Sequence, residues 1–395
     1  VRPSAWLTLP DVTGQQRFAG LHRIDMDGNF VALTAAGAYT VDWGDGTTTN
    51  HATGTTAQKT YDYTAISSTG ESTLGYRQVI IQVYPQSGQN LTSLNLSVRH
   101  STTSVAYSTG WLDVVINASS ITSLTFSSTT VTARYLQQAT ILNHNLTSTF
   151  SMFQRASSLQ SVPLFNTASV TTMSTMFQDC YALQSVPLFN TASCTNMTSM
   201  FIGCSSLQSI PFFNTAACLT FSNFLYNCSS LQSVPLFNTA NANNINQMFF
   251  GCILLQTLPV FNFSSVINGT SAFYNCVSLQ TVPAFNFSSC TQAASMFLGC
   301  ASLTAIPALN LSSVSSSATM GSFASGCSSL ASVACTGINQ TISFASCKLS
   351  AAQIDAIFTN LSSSGSGKTI TVTGNYGAAT CTTSIATAKG WTVVT

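Results

Sequence analysis

Charge is what this chain lacks most. Only 5% of its 395 residues are Asp, Glu, Lys or Arg, against roughly 25% in an ordinary soluble domain. The 11 basic and 10 acidic residues nearly cancel. That leaves no basic stripe to neutralise phosphates, so nucleic acid and anionic membranes are poor partners. The shortage is uneven: between Arg155 and Lys348 the one formally charged residue is Asp179. Solubility there falls to Ser, Thr, Asn and Gly. Such a composition suits extracellular fibres, surface layers and phage appendages better than the cytosol, so an extracellular, cell-surface or virion-surface location is expected.

Other absences narrow the function. No apolar run approaches the ~20 residues of a membrane span, so no membrane insertion is expected. No signal peptide stands at the start, and the first residue is Val1, which fits a chain whose upstream piece is not in this sequence. The four histidines (His22, His51, His100, His144) all precede residue 145, and no carboxylate pair follows it. A glycan-active enzyme needs charged acid and base groups in a groove; none are offered, so a non-enzyme is expected. No Cys-x-x-Cys pair signals a metal. Asp42 and Asp45 supply too few oxygens for calcium. No metal and no cofactor is expected.

What the chain has is a repeat. Met152-Phe153, Met176-Phe177, Met200-Phe201, Met248-Phe249 and Met296-Phe297 recur in a 24-residue frame, with Phe224-Leu225 and Ala272-Phe273 filling the gaps. Leu159, Leu183, Leu207, Leu231, Leu255, Leu279 and Leu303 keep the same frame. So do the prolines at 163, 187, 211, 235, 259, 283 and 307. An uninterrupted period of this length marks a solenoid. Met173, Met176, Phe177 and Cys180 stand at i, i+3, i+4 and i+7, which predicts one face of a short helix. Leu183, Val186 and Leu188 bracket Pro187 in an extended stretch from which a helix is barred. One strand and one helical turn per copy is the leucine-rich-repeat plan, with strands stacked ~4.8 Å apart.

Two polar columns run through the repeat. One holds Asn166, Asn190, Asn214, Asn238, Asn262, Asn286 and Asn310. A stacked asparagine in a solenoid turns inward and bonds the backbone and its neighbour, so this column is expected buried. The other holds Cys180, Cys204, Cys228, Cys252, Cys276 and Cys300. Cysteines one rung apart point alike rather than toward each other. They are expected as buried free thiols acting as small hydrophobes. A further column alternates Cys194, Cys218 and Cys290 with Val and Ala, as a packing position does. Cys335, Cys347 and Cys381, outside the frame, are the ones able to pair.

The ends are irregular. Leu136 to Asn143 matches Leu159 to Asn166 at a spacing of 23, a worn first copy. Phe323, Cys327 and Leu330 form an eighth copy shifted by two residues. Ser350 opens an amphipathic helix (Ile354, Ile357, Phe358, Leu361), and Thr369–Val372 and Trp391–Val394 read as strands. The Met-Phe-x-x-Cys-x-x-Leu-x-x-x-Pro-x-x-Asn unit resembles the BspA-like leucine-rich-repeat surface proteins. The segments Leu349–Ala352, Lys368–Asn375 and Ala388–Val393 resemble the C-terminal cap of many members. That resemblance implies contact functions, since members include bacterial adhesins, protozoan surface proteins and structural proteins of tailed phages.

Residues 1–90 follow another pattern. Tyr39–Trp43 alternates as a strand, Gly44-Asp45-Gly46 supplies a tight hairpin, and Tyr61-Asp62-Tyr63 and Gln78–Val83 give further strands. A small β-sandwich is expected. The Val41–Thr47 stretch resembles the Trp-Gly-Asp-Gly turn of PKD-like modules, whose later His-x-Tyr stands here as Tyr61-Asp62-Tyr63. The opening Arg2–Pro10 resembles the start of repeat proteins of marine tailed phages. The fold class expected is therefore mainly β with short helices. It comprises a PKD-like β-sandwich (1–90), irregular rungs (91–135), a right-handed leucine-rich-repeat parallel solenoid (136–347) and an α/β C-terminal cap (348–395).

Two functions fit. In one, a phage appendage, tail-fibre-like protein or cell-surface adhesin recognises a surface glycan or polymer through hydroxyls, amides and scattered aromatics. In the other, a structural subunit of a filament or virion decoration contacts copies of itself as a homo-oligomer or multivalent assembly. Sequons are common (Asn90, Asn117, Asn145, Asn196, Asn227, Asn268, Asn310, Asn360), as chance dictates in a Ser/Thr-rich chain.

Overall fold

The computed structural model describes residues 3–69, 71–103, 106–315 and 320–395; the phage-like opening at Arg2 begins outside them. The chain divides into two compact units, Val1–Ser193 and Cys194–Thr395.

The first unit starts antiparallel and turns parallel. Its strands are β1 (Arg17–Ile24), β2 (Phe30–Ala36), β3 (Tyr39–Asp42), β4 (Thr48–His51), β5 (Thr56–Thr60), β6 (Arg77–Pro85), β7 (Ser93–Asn95), β8 (Tyr107–Ser108), β9 (Trp111–Asn117), β10 (Ser123–Thr125), β11 (Val131–Thr132) and β12 (Gln138–Ile141). One sheet has the order β12-β9-β1-β6-β3-β4 and another the order β10-β7-β2-β5. Every neighbouring pair up to β1–β9 is antiparallel. From Ser93 onward the pairs β7–β10, β8–β11 and β9–β12 are parallel. The coil thus begins inside the sheets, which cross the boundaries expected at 90 and 135. Alternation shows on β3 and β6, where Tyr39 and Val41, and Val79, Ile81 and Val83, are buried, whereas β1 is buried on both faces at Phe18 and Leu21.

The Asp42–Thr47 turn is held by its own carboxylates. Asp42 Oδ1 accepts from Gly44 N–H at 3.0 Å, and Asp45 Oδ1 accepts from Thr47 N–H at 3.1 Å. The Lys59 ammonium pairs with Asp45 Oδ2. Buried Trp43 donates through Nε1 to Thr49 Oγ1 at 2.9 Å, and its carbonyl accepts from the Tyr61 hydroxyl at 2.7 Å. His22 is fully buried, which pushes its pKa down to about 3; its neutral Nε2 accepts from Gly110 N–H at 2.9 Å.

The repeats correct one expectation. Met173, Met176, Phe177 and Cys180 are all buried, but the segment is a run of turns, not a helix. In the Thr149–Ala156 rung, the N–H groups of Thr149, Ser151, Phe153 and Arg155 donate to Thr172, Ser174, Met176 and Gln178 of the next rung. The alternate N–H groups of Met152, Gln154 and Ala156 donate back to Thr149, Ser151 and Phe153. An α-helix would use every N–H on its own i−4 carbonyl and leave none for the neighbouring rung. Alternating the donors closes local turns and stacks rungs at once, while keeping the inward spacing that a helix would give.

That backbone requires left-handed residues at fixed places. Ser151, Thr175, Ser199, Asn223, Gln247, Ser271 and Ser295 have φ between 52° and 61°. Four residues later Arg155, Asp179, Gly203, Asn227, Gly251, Asn275 and Gly299 are also left-handed. The second set explains its Gly, Asn and Asp content.

The second unit repeats this scheme within itself, with parallel bridges Asn196–Thr220, Thr220–Asn244, Asn244–Asn268 and Asn268–Gln292. Inside it Phe249, Phe273 and Phe297 stack with ring centroids 5.7 and 5.3 Å apart. The eighth copy keeps its two-residue shift at Phe323, but Cys327 lies one residue further. Its thiol therefore donates to the Phe297 carbonyl 30 residues back, where the regular interval is 27. β13 (Ala305–Ile306) pairs with β14 (Ser332–Val333) in parallel. β15 (Ile342–Ser343), β16 (Thr369–Thr371) and β17 (Thr392–Val394) form a parallel sheet. α1 (Ala351–Thr359) and α2 (Ser384–Thr387) sit in the connections between these strands. Parallel pairing therefore continues past Cys347 to Val394. Ser350 caps α1, its side chain accepting from Gln353 N–H at 3.3 Å. Among the described residues no helix is long and apolar enough to cross a membrane.

Candidate contact surface of the repeats

The expected inward asparagine column faces outward. Asn166, Asn190, Asn214, Asn238, Asn262, Asn286 and Asn310 are all exposed. Each side-chain Oδ1 accepts from the backbone N–H two residues on: Ala168 at 3.0 Å, Ala192 at 3.2 Å, Ala216 at 3.2 Å, Ala240 at 2.9 Å, Ser264 at 3.1 Å, Ser288 at 3.0 Å and Ser312 at 3.0 Å. The residue makes a local Asx turn at a corner of the coil, and that N–H lies outside the core. The buried polar column is its neighbour. Thr167, Thr215 and Thr239 are buried, and their hydroxyls donate to the carbonyls of Asn190, Asn238 and Asn262 at 2.7–2.8 Å. In later copies Phe263, Phe287 and Leu311 take the same position. The asparagine run masked this column because Thr gives way to Phe and Leu partway along.

The cysteine columns are interior. Every cysteine is a free thiol, and all except half-buried Cys381 are buried. The thiols of Cys180, Cys228, Cys252, Cys276 and Cys300 donate to carbonyls 27 residues back at 2.9–3.2 Å. Burial pushes the Cys252 thiol up to about 12 and that of Cys180 higher still. Cys335 and Cys347, able to pair on sequence grounds, are buried free thiols as well.

The proline builds a surface that the sequence pattern conceals. Phe189, Phe213, Phe237, Phe261 and Phe285 each donate a backbone N–H to the proline carbonyl two residues back, at 2.8–3.1 Å. This γ-turn puts Phe inside and throws the residue between them outward. Leu183 and Val186 point in, but Leu188 at the apex is 59% exposed. In the first unit Leu164 and Leu188, with Asn166 and Asn190, line a shallow pocket of about 310 Å³. In the second unit the apex carries Phe212, Leu236 and Val260, all exposed, then the smaller Ala284. Beside the apex stands the asparagine. The Nδ2 groups of Asn166, Asn190, Asn238 and Asn262 have no hydrogen-bond partner among the described residues and remain as outward donors. The rungs of Leu164, Leu188, Leu236 and Val260 therefore each offer one apolar group and one amide donor, with no charge at either position.

A second stripe lies within the second unit. Tyr226, Phe250 and Tyr274 stack face to face with centroids 4.4 Å apart. Their faces cover each other, so these half-buried rings present edges to solvent. The charged pair of the repeats, Arg155 and Asp179, meets across one rung at 3.5 Å. Of the sequons, Asn117 is buried and donates to the Val12 carbonyl at 2.8 Å, closing it to modification.

Residues 144–259 and 220–332 match a family described as Mycoplasma protein of unknown function, DUF285. Together these matches cover a little under half of the chain, all of it in the repeats. No curated protein matches the chain.

Proposed function

We propose that this is a non-catalytic contact protein of a cell or virion surface, built on the plan of BspA-like repeat proteins. The observation that carries this reading is, within each unit, an outward row of apolar γ-turn apices (Leu164 and Leu188 in the first, Leu236 and Val260 in the second) with the unpaired amides of Asn166, Asn190, Asn238 and Asn262 beside them. Such a row suits a long, neutral partner that repeats its own groups, such as a surface glycan. Each contact is weak, and many in register add by avidity. The near-absence of ionisable groups between Arg155 and Lys348 supports contact without turnover. Within this reading the antiparallel sheets of the first unit serve as a PKD-like sandwich at one end of the coil. The α1–β17 segment serves as the closing cap. A phage appendage or tail-fibre role and an adhesin role use the same surface. Binding to a panel of immobilised neutral polysaccharides, wild type against a Leu164→Asp/Leu188→Asp double variant, tests it. Retention by one or more polymers, weakened in the variant, is the expected result.

A structural role by self-contact is the second reading. Phe212, Leu236 and Val260 favour it, because they are exposed on a segment, Cys194 to Cys347, with no formal charge to keep copies apart. Sedimentation velocity over a concentration series separates the two readings: the structural one requires growth into polymers with no added ligand.

A further inference from the structure

A cleft in the first unit, apart from the proline stripe, has the chemistry of a saccharide site. It encloses about 460 Å³, within the range of small-ligand pockets. Asn95, Ser97, Thr129, Phe150, Gln154 and Thr175 are among its lining residues, and no lining side chain is charged. It runs across four successive turns of the coil, since Thr125 pairs with Asn95, Phe126 N–H donates to the Met152 carbonyl, and Ser151 N–H donates to the Ser174 carbonyl. Three steps of ~4.8 Å make it about 14 Å long, the length of a short oligosaccharide.

The polar groups on its walls are fixed and unfilled. Gln154 is only 6% exposed. Its Nε2 donates to Gln178 Oε1 at 2.9 Å, which locks the amide and leaves Gln154 Oε1 as an acceptor with no protein donor among the described residues. Asn95 is held the opposite way. Its Oδ1 accepts from the N–H and the hydroxyl of Ser97, both at 2.8 Å, and its Nδ2 is left as a donor. The Ser151 and Thr175 hydroxyls bond each other at 2.8 Å. A sugar hydroxyl both donates and accepts, so it can answer Asn95 and Gln154 alike.

The apolar element is Phe150, 59% exposed with no ring contact to another aromatic among the described residues. Its N–H is tied to Ser148 Oγ at 3.1 Å, which steadies the backbone beneath the ring. The face of a benzene ring is weakly negative, and the axial C–H groups of a pyranose are weakly positive. Arg155, next in the chain to Gln154, donates to the Thr129 carbonyl at 2.5 Å and pairs with Asp179, so it is not free to draw an acidic ligand.

We propose that this cleft binds a neutral oligosaccharide, with a pyranose ring packed on Phe150 and its hydroxyls on Asn95 and Gln154. The ligand class is that of the contact reading above, but the site is separate from the apolar stripe and is tested separately. Saturation-transfer NMR on the full chain would use neutral cello-, malto-, manno- and chitotrioses, with trigalacturonate and a neutral Ser/Thr-rich peptide as comparison probes. At least one neutral trisaccharide should receive saturation at its ring C–H protons. Phe150→Ala should weaken that binding about tenfold or more and Phe150→Trp should keep it, both with unchanged melting because the ring is exposed. Leu164→Asp/Leu188→Asp should leave it intact, so failure of the stripe would not mimic failure of the cleft. Binding of trigalacturonate or the peptide in place of neutral sugars, no binding of any trisaccharide, or binding indifferent to Phe150→Ala would each overturn the proposal.

Discussion

The thiol of Cys252 donates a hydrogen bond of 3.1 Å to the carbonyl oxygen of Leu225, 27 residues earlier in the chain. The cysteine column thus joins rungs by hydrogen bonds while its sulfurs stay reduced. Thiol chemistry should follow. With iodoacetamide under native conditions, Cys381 should be the first cysteine modified, and the other twelve, all buried, should react only after denaturation. Burial raises the Cys381 pKa, with Asp355 adding to the shift. Its labelling rate should therefore still climb at pH values above the ordinary thiol range, since only the thiolate reacts. Peptide mapping by mass spectrometry checks this, and a melting temperature unmoved by reductant accompanies it. Bridges between Cys180, Cys204 and Cys228 would contradict the account.

Burial and exposure at neighbouring positions should separate cleanly in stability. Phe249→Ala removes a buried ring that stacks on Phe273 and should cost about 3–5 kcal/mol. Leu188→Ser removes a larger apolar side chain than it adds, yet at an exposed γ-turn apex it should stay within about 0.5 kcal/mol of wild type. Urea denaturation followed by circular dichroism measures both. A coil of rungs need not unfold in one step, so the comparison is of matched transitions.

The asparagine corners make a narrower prediction. Asn238→Ala removes the acceptor for Ala240 N–H, an exposed local bond, and should cost about 0.5–1.5 kcal/mol. Asn238→Asp keeps an oxygen there and should cost less. Were the column buried, the order would reverse, because a carboxylate inside a core is far costlier than an alanine.

Most of the coil was legible because its frame never slips between Met152 and Leu303. The columns of Leu, Phe and Cys state the core directly, and Tyr39–Trp43 and Ser350–Leu361 announce a strand and a helix by period and cap. What the sequence hid has a common physical cause. Periodicity reports which side chains share a face, not how the backbone brings them there. Met173, Met176, Phe177 and Cys180 carry helical spacing, but stacking of the kind made by Thr149–Ala156 takes alternate N–H donors for a neighbouring rung, so turns replace the helix. A residue with both an apolar and a turn-forming reading is equally ambiguous. Leu188 looks like core until the γ-turn across Pro187 is known, and Asn190 looks like a ladder until its oxygen is seen to hold Ala192. The Phe150 cleft draws on residues of four turns at unequal spacing, among them Asn95, Thr125 and Thr175, so no single repeat spells it.

The claim that neutral, repeated contacts do the work of this protein is tested most directly by the salt dependence of binding. The whole chain would be titrated onto whole cells or immobilised neutral polysaccharide at low and at high ionic strength, with reducing ends assayed in the same samples. Screening acts only on charges, and the repeats carry Arg155 and Asp179 as a mutual pair. Affinity should therefore change by less than about twofold, since the chain offers screening so little to act on, and the polymer should stay at full length. An affinity that collapses in salt, or a polymer shortened during incubation, would contradict the account.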